Sequence, residues 1–169
     1  MDDVIGPGLQ VLFVGVNPGL WSGAVGHHFA HPSSRFWKAL HLSGFTPRRL
    51  SPFEEAELPI YGLGLTNLVE TATALARDLT PEQLRQGAAR LVAKVERHRP
   101  AWVAVLGVGA YRIAFERPRA IIGPQPEGIG PARAWVLPGP SGNNAHFPLE
   151  AEVEEFRELR RAVTGAPHA

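Results

Sequence analysis

The sequence contains no cysteine. That absence excludes disulfides, a thiol nucleophile and thiolate-held zinc or iron–sulfur centres within this chain. Lysine is nearly missing too: it occurs only at Lys38 and Lys94, so arginine supplies the rest of the 17 basic residues. Arginine's planar fork suits phosphate, although a compositional bias of the genome produces the same imbalance. Acidic residues almost balance the basic ones, leaving a formal net charge of +1. A long basic arm is therefore excluded, and any nucleic-acid contact would need a local patch. No apolar run approaches the roughly 20 residues needed to cross a bilayer. The opening "MDDVIGPG" lacks the basic-then-apolar pattern of a secretory signal. A soluble cytoplasmic protein without membrane association is expected. The spaced glycines of dinucleotide and P-loop sites are also missing, which speaks against an enzyme of free nucleotides.

The length of 169 residues fits one domain, 1–169, with no internal repeat or linker. Residues 9–16, "LQVLFVGV", read as a buried strand. They stop at Asn17-Pro18-Gly19, and a long irregular loop runs to about Ser33. A helix then opens near "SSRFWKAL", with Ser33 or Ser34 as N-cap and Gly44 as its stop. Residues 46–60 read as a proline-broken connector with at most short helical turns. A second strand ends near Thr66-Asn67. The clearest helix covers residues 80–98: Thr80 caps it, Pro81 takes the first position, and Leu84, Ala88, Leu91 and Val95 form its apolar stripe. Further strands at 101–107 and 133–138, a short helix at 108–115 and a closing helix at 149–163 complete the pattern. Buried strands alternating with helices predict an α/β fold with a mostly parallel central sheet of about four to five strands, covered on both faces.

In such sheets ligands bind beyond the carboxyl ends of the strands. The unusual residues lie there, in three loops: Asn17-Pro18-Gly19, Thr66-Asn67, and 138–146. Pro18 biases Asn17 toward extended geometry, and Gly19 allows close backbone approach. The Asn17 amide carries a donor and an acceptor, so it can orient water and a polar heterocycle without being a strong base. A turn in which Asn17 merely caps its own loop stays open on these grounds. His27, His28 and His31 lack a carboxylate or cysteine in their loop, so no metal is expected and they read as a rim. The pairs Glu54-Glu55 and Glu154-Glu155 read as solvated helix faces, and Phe36 and Trp37 as core. Arg35, Lys38, Arg48 and Arg49 cluster beside the loop as candidate phosphate contacts, with a plain solvated surface as the alternative.

"GVNPG" after the first strand, "HHFAHPSSRFW", "TNLVE" at 66–70 and "PSGNNAHF" at 140–147 occur in one order along the chain. Together they resemble the mismatch-specific uracil-DNA glycosylase family, the bacterial relatives of thymine-DNA glycosylase. The resemblance implies the three-layer α/β/α sandwich of uracil-DNA glycosylases. It also implies a cofactor-free, monofunctional hydrolase that flips uracil, with thymine or damaged cytosine as further candidates, from G mismatches in double-stranded DNA. The cut would start base excision repair, with a monomer acting on the bacterial nucleoid. Asn17 falls on the family's catalytic asparagine and Phe29 on the aromatic that stacks on the extruded base. Val16, Gly19, Leu20, Ser22 and Asn67 would bind the base. Ser141, Gly142, Asn143 and Asn144 would be the wedge entering the duplex, with Arg35 on its backbone. The family's bacterial members carry leucine where this chain has Asn143, and "TNLVE" is closer to the thymine-DNA glycosylase branch. A non-catalytic nucleic-acid-binding domain on the same fold is the rival reading.

Overall fold

A computed structural model describes residues 1–142 and 147–165. The apolar runs form the sheet: β1 (Val11–Gly15), β2 (Leu63–Asn67), β3 (Trp102–Leu106), β4 (Gly123–Pro124) and β5 (Arg133–Leu137). Their order across the sheet is β2-β1-β3-β5-β4, with every pairing parallel except that of the two-residue β4. The expected mostly parallel α/β architecture is therefore present. β4, inside the proline- and glycine-rich crossing, carried no sequence signal beyond the turn residues around it.

Side-chain alternation splits the core into two layers. Leu12, Val14, Val103, Val105, Ala134 and Val136 face α3 (Pro81–His98) and α4 (Val108–Ala114). Val11, Phe13, Leu65, Ala104, Leu106 and Leu137 face α2 (Phe36–Leu42) and α5 (Leu149–Thr164). Phe13 anchors the second layer through ring contacts with Phe36, Phe45 and Phe156. Phe36 and Trp37 are core residues, as expected. Among the described residues no helix is long and apolar enough to cross a membrane.

Helix α3 follows its local signals. Thr80 Oγ1 accepts from Gln83 N at 3.1 Å and Gln83 Oε1 accepts from Thr80 N at 2.8 Å, a reciprocal cap. Helix α2 departs from its expected start. It begins at Phe36 with Arg35 at the cap position and no side-chain cap. Ser33 does not cap it, because its Oγ is bonded to His31 Nδ1 at 2.8 Å, whereas Ser34 Oγ accepts a long hydrogen bond from Phe36 N at 3.4 Å. A second departure lies in the loop expected to be irregular, which contains α1 (Leu20–Val25) between Gly19 and a left-handed Gly26. The connector contains a longer 3₁₀ segment than expected, Pro52–Tyr61.

Thr80→Ala removes half of the reciprocal cap of the longest helix. Urea unfolding of that variant is expected to show a loss of about 1 kcal/mol with an unchanged m-value.

Candidate functional site

The strand order reverses direction between β1 and β3, which opens a crevice beyond their carboxyl ends. A cleft of about 700 Å³ occupies it. Gly15, Val16 and Asn17 leave β1 into its wall, Leu106 and Gly107 leave β3, and Gly139, Pro140 and Ser141 follow β5. Residues 73–76 close the side nearest β2.

Asn17 is held by long-range contacts. Its Nδ2 donates to Thr71 O at 2.8 Å and to Thr73 Oγ1 at 2.8 Å. A backbone carbonyl can only accept, so the nitrogen must face Thr71 and the assignment of the amide follows from chemistry. Thr73 in turn spends its own proton on Leu75 O at 2.7 Å. Both amide hydrogens are thus committed, and no described residue donates to Oδ1. Asn17 does not cap its own loop, which removes that alternative for the described contacts.

Phe29 also lines the cleft, with φ 51° in the left-handed region. A bulky residue there is strained by roughly 1–3 kcal/mol. Its neighbours hold it: His28 N donates to Glu55 Oε1 at 3.0 Å and Ala30 N donates to Ser22 Oγ at 2.9 Å. The ring stacks on Phe36 at 4.3 Å between centroids, inclined by 24°. Gly15 makes this placement sterically feasible. A Cβ there would lie 2.7 Å from Asn67 Oδ1 and 3.2 Å from Phe29 Cζ.

Val16, Gly19, Leu20, Ser22 and Phe29 all line the cleft with Asn17, and so does Ser141. Asn67 does not. Its Nδ2 is directed behind Gly15, 3.4 Å from His28 Nδ1 and 3.7 Å from Met1 Sδ. Gly142 packs on Ser33 just outside the wall. Asn143 and Asn144 lie outside the described residues. Arg35 is turned into the protein, with Nη1 3.0 Å from the buried Glu152 Oε1.

Several expectations about polar residues need correction. His28 is buried, not on the rim: its ring Nε2 meets Asp2 O at 2.8 Å, and its carbonyl accepts from Trp37 Nε1 at 3.2 Å. Glu55 is buried too: its Oε1 accepts from His28 N at 3.0 Å and lies 3.4 Å from His27 Nδ1. Glu54 does face solvent, where Arg48 pulls its carboxyl pKa down to about 2 by a direct hydrogen bond. Arg48 bridges Glu54 at 2.9 Å and Glu57 at 2.6 Å. Among the described residues no cluster of histidine, aspartate or glutamate could hold a metal.

Sequence reasoning missed the end of β3, the return segment with Thr71 and Thr73, and the exposed residues Trp21 and Leu75 that flank the cleft. The strand-order rule would have found Leu106 and Gly107 once β1 and β3 were taken as neighbours. Thr73 carried no local signal, since its partner lies 56 residues away.

No Asp, Glu, Lys or Arg lines the cleft among the described residues, and His31 is its one ionisable side chain. Such a site can stack on a flat ring and orient water through a fixed amide oxygen. Among the described residues it offers no carboxylate to act as base and no lysine or arginine to hold phosphate inside. Gly15→Ala is expected to push the Phe29 ring off Phe36 and to cost about 1–3 kcal/mol by overpacking, read by urea unfolding and by a crystal structure of the variant. The family model described as the Uracil DNA glycosylase superfamily matches this chain over residues 3–163.

Proposed function

The chain belongs to the uracil DNA glycosylase superfamily, whose members are DNA glycosylases, and from that premise we propose that it excises uracil from G mismatches in duplex DNA. The observation that carries the reading is the anchored Asn17 amide lining, together with Phe29, a cleft that has no Asp, Glu, Lys or Arg among the described residues. A base inside a duplex must be extruded at a cost of a few kcal/mol, which is least for a mismatch. U opposite G is therefore favoured over U opposite A.

The extruded pyrimidine would stack on Phe29, with Val16, Gly19, Leu20 and Ser22 around it. Asn17 Oδ1 accepts a hydrogen bond from water and turns the water's lone pair toward the anomeric carbon. The N-glycosidic bond breaks with its electron pair going to the pyrimidine. The water oxygen bonds to the sugar and its proton passes to solvent, leaving an abasic site and the free base. Backbone N–H groups near Gly19 and Phe29 are the candidate donors to the departing base. Asparagine cannot take the proton or balance the developing cation, so the enzyme works by positioning and is slow. Asn67, placed behind Gly15, would reach the base only at the floor of the site. With Asn143 at the wedge, stacking is poorer but a hydrogen bond to the orphaned guanine is available.

The test is single-turnover excision on a duplex with one U·G pair, followed by alkali. Asn17→Ala is expected to cut at least roughly a hundredfold more slowly while binding the duplex as wild type does. Thr73→Val, which releases one amide hydrogen worth about 1 kcal/mol, is expected to slow the cut about fivefold. Binding without cutting by the wild type would identify a non-catalytic DNA-binding domain. DNA position has its own readout, because Trp21 is 52% exposed while Trp37, Trp102 and Trp135 are buried. Titrating Asn17→Ala with the duplex is expected to quench tryptophan fluorescence, and adding Trp21→Phe should abolish that change. A quench that persists would place DNA elsewhere.

A further inference from the structure

Arg35 was expected to touch phosphate, but its side chain is directed at the loop that follows β5. Arg35 N donates to Pro140 O at 2.8 Å. Nη2 donates to Gly142 O at 3.4 Å, and Nη1 donates to Phe147 O at 2.5 Å. Pro140 and Gly142 lie on the outgoing stem of that loop, and Phe147 on the returning stem just before α5. One residue therefore ties both stems together. The packing agrees: a Cβ on Gly142 would be driven into the Ser33 carbonyl and would lie 2.8 Å from Ser33 Cβ.

The guanidinium is itself held from below. Nη1 pairs at 3.0 Å with Glu152 Oε1 in the first turn of α5, a side chain with 0% exposure. Glu152 Oε2 has no hydrogen-bond partner. Burial pushes the Glu152 carboxyl pKa up, and Arg35 opposes that rise. A buried ion pair with an unsatisfied oxygen is weak support for stability, and an apolar pair of equal volume would pack as well. An apolar pair would offer no donors to the carbonyls of two stems. Only arginine's planar fork reaches several acceptors in fixed directions.

We infer that Arg35 and Glu152 form a positioning pair that sets the spacing of the two loop stems, so that the loop after β5 is presented to the duplex as a wedge. Arg35 acts through loop backbone, not by neutralising a phosphate, and Glu152 acts only through Arg35. The inference rests on reading residues 141–144 as the element that fills the stack once the base has left.

The experiment uses two duplexes: one with U opposite G, and one with U opposite a tetrahydrofuran abasic analogue. The second has no partner to displace and no orphan base to hold, so it needs no wedge. Arg35→Lys keeps the charge and loses the fork, Arg35→Gln loses both, and Glu152→Gln keeps the shape without the charge. In single-turnover assays both Arg35 variants are expected to slow U·G excision roughly tenfold or more. The same variants should stay within about threefold of wild type opposite the analogue, where no base pair has to be broken. Glu152→Gln should show the same selective loss in weaker form, although its position is sealed from DNA. The salt slope of duplex binding should be unchanged in Arg35→Gln, because losing a phosphate contact would reduce it by about 1.

Equal losses on both duplexes would mean a general structural role and would overturn the inference. A reduced salt slope would return Arg35 to the phosphate backbone and overturn it as well, as would wild-type rates in all three variants. Should Arg35→Gln fail to fold, Arg35→Lys and Glu152→Gln still decide the matter, with excision opposite the analogue reporting a folded site. A wild type that cuts neither duplex would instead defeat the glycosylase reading, and the inference with it.

Discussion

Beyond the end of β1 the chain keeps pairing with the segment that follows β2, and the site depends on that continued ladder. Leu68 N donates to Gly15 O at 2.9 Å, Val69 N to Val16 O at 3.0 Å, and Thr73 N to Pro18 O at 3.2 Å. Pro18 has no N–H to give in return. The donor comes from the Asn17 side chain, which bonds Thr71 O where a backbone amide could not. This is why a buried strand ends on asparagine followed by proline. Proline removes the backbone donor, the asparagine nitrogen replaces it, and the remaining oxygen is left with a fixed orientation. One amide thereby ties the two segments together, and the rotamer that does so also fixes the direction of its oxygen at the cleft wall.

Charge is arranged around the cleft in a consistent way. Among the described residues no Asp, Glu, Lys or Arg lines the wall, and several charged groups lie behind it or outside it. Glu55 steadies the His28 backbone, Glu152 steadies Arg35, and Asp3 joins Lys94 at 2.8 Å and Thr66 Oγ1 at 2.6 Å beneath the end of β2. Each of these groups fixes a backbone segment or a side chain that in turn shapes the cleft. In a dry site an uncompensated charge would dominate every other interaction. What the described wall offers a ligand is shape, an aromatic face and directed hydrogen bonds.

The features legible in the sequence were those whose causes are local. Thr80, Pro81 and the stripe Leu84, Ala88, Leu91 and Val95 describe α3 within one window, and all four stripe residues are buried. β1, β3 and β5 are short apolar runs between breakers, and they were found within a residue or two at each end. Asn17 and Phe29 could be named as partners only through resemblance, since no spacing rule brings an asparagine at the end of β1 to an aromatic in the loop beyond it. The residues that escaped are those defined by distant partners. Arg35 meets Glu152 across 117 positions, and its sequence neighbourhood suggested a basic surface instead. His28 and Glu55 are polar types in polar surroundings, and their burial follows from contacts distant in sequence: His28 Nε2 with Asp2 O, and Glu55 Oε1 with His28 N. Helix α1 lacks a side-chain cap and spans six residues, so little in its own sequence announces it.

The same division explains how the strain at Phe29 is tolerated. A left-handed aromatic costs roughly 1–3 kcal/mol. Its stack on Phe36 returns about 0.5–1.5 kcal/mol, and the hydrogen bonds at His28 N and Ala30 N about 0.5–1.5 kcal/mol each. The two sides are of the same size, so Phe29 is held in place without a large reserve. Neither acceptor is on the ring: Ser22 comes from α1 and Glu55 from the connector. The orientation of the stacking surface is therefore set by elements whose own sequences carry no sign of it. The short helix that looked like loop, and the glutamate that looked like surface, hold the backbone on either side of Phe29 and so shape the cleft wall.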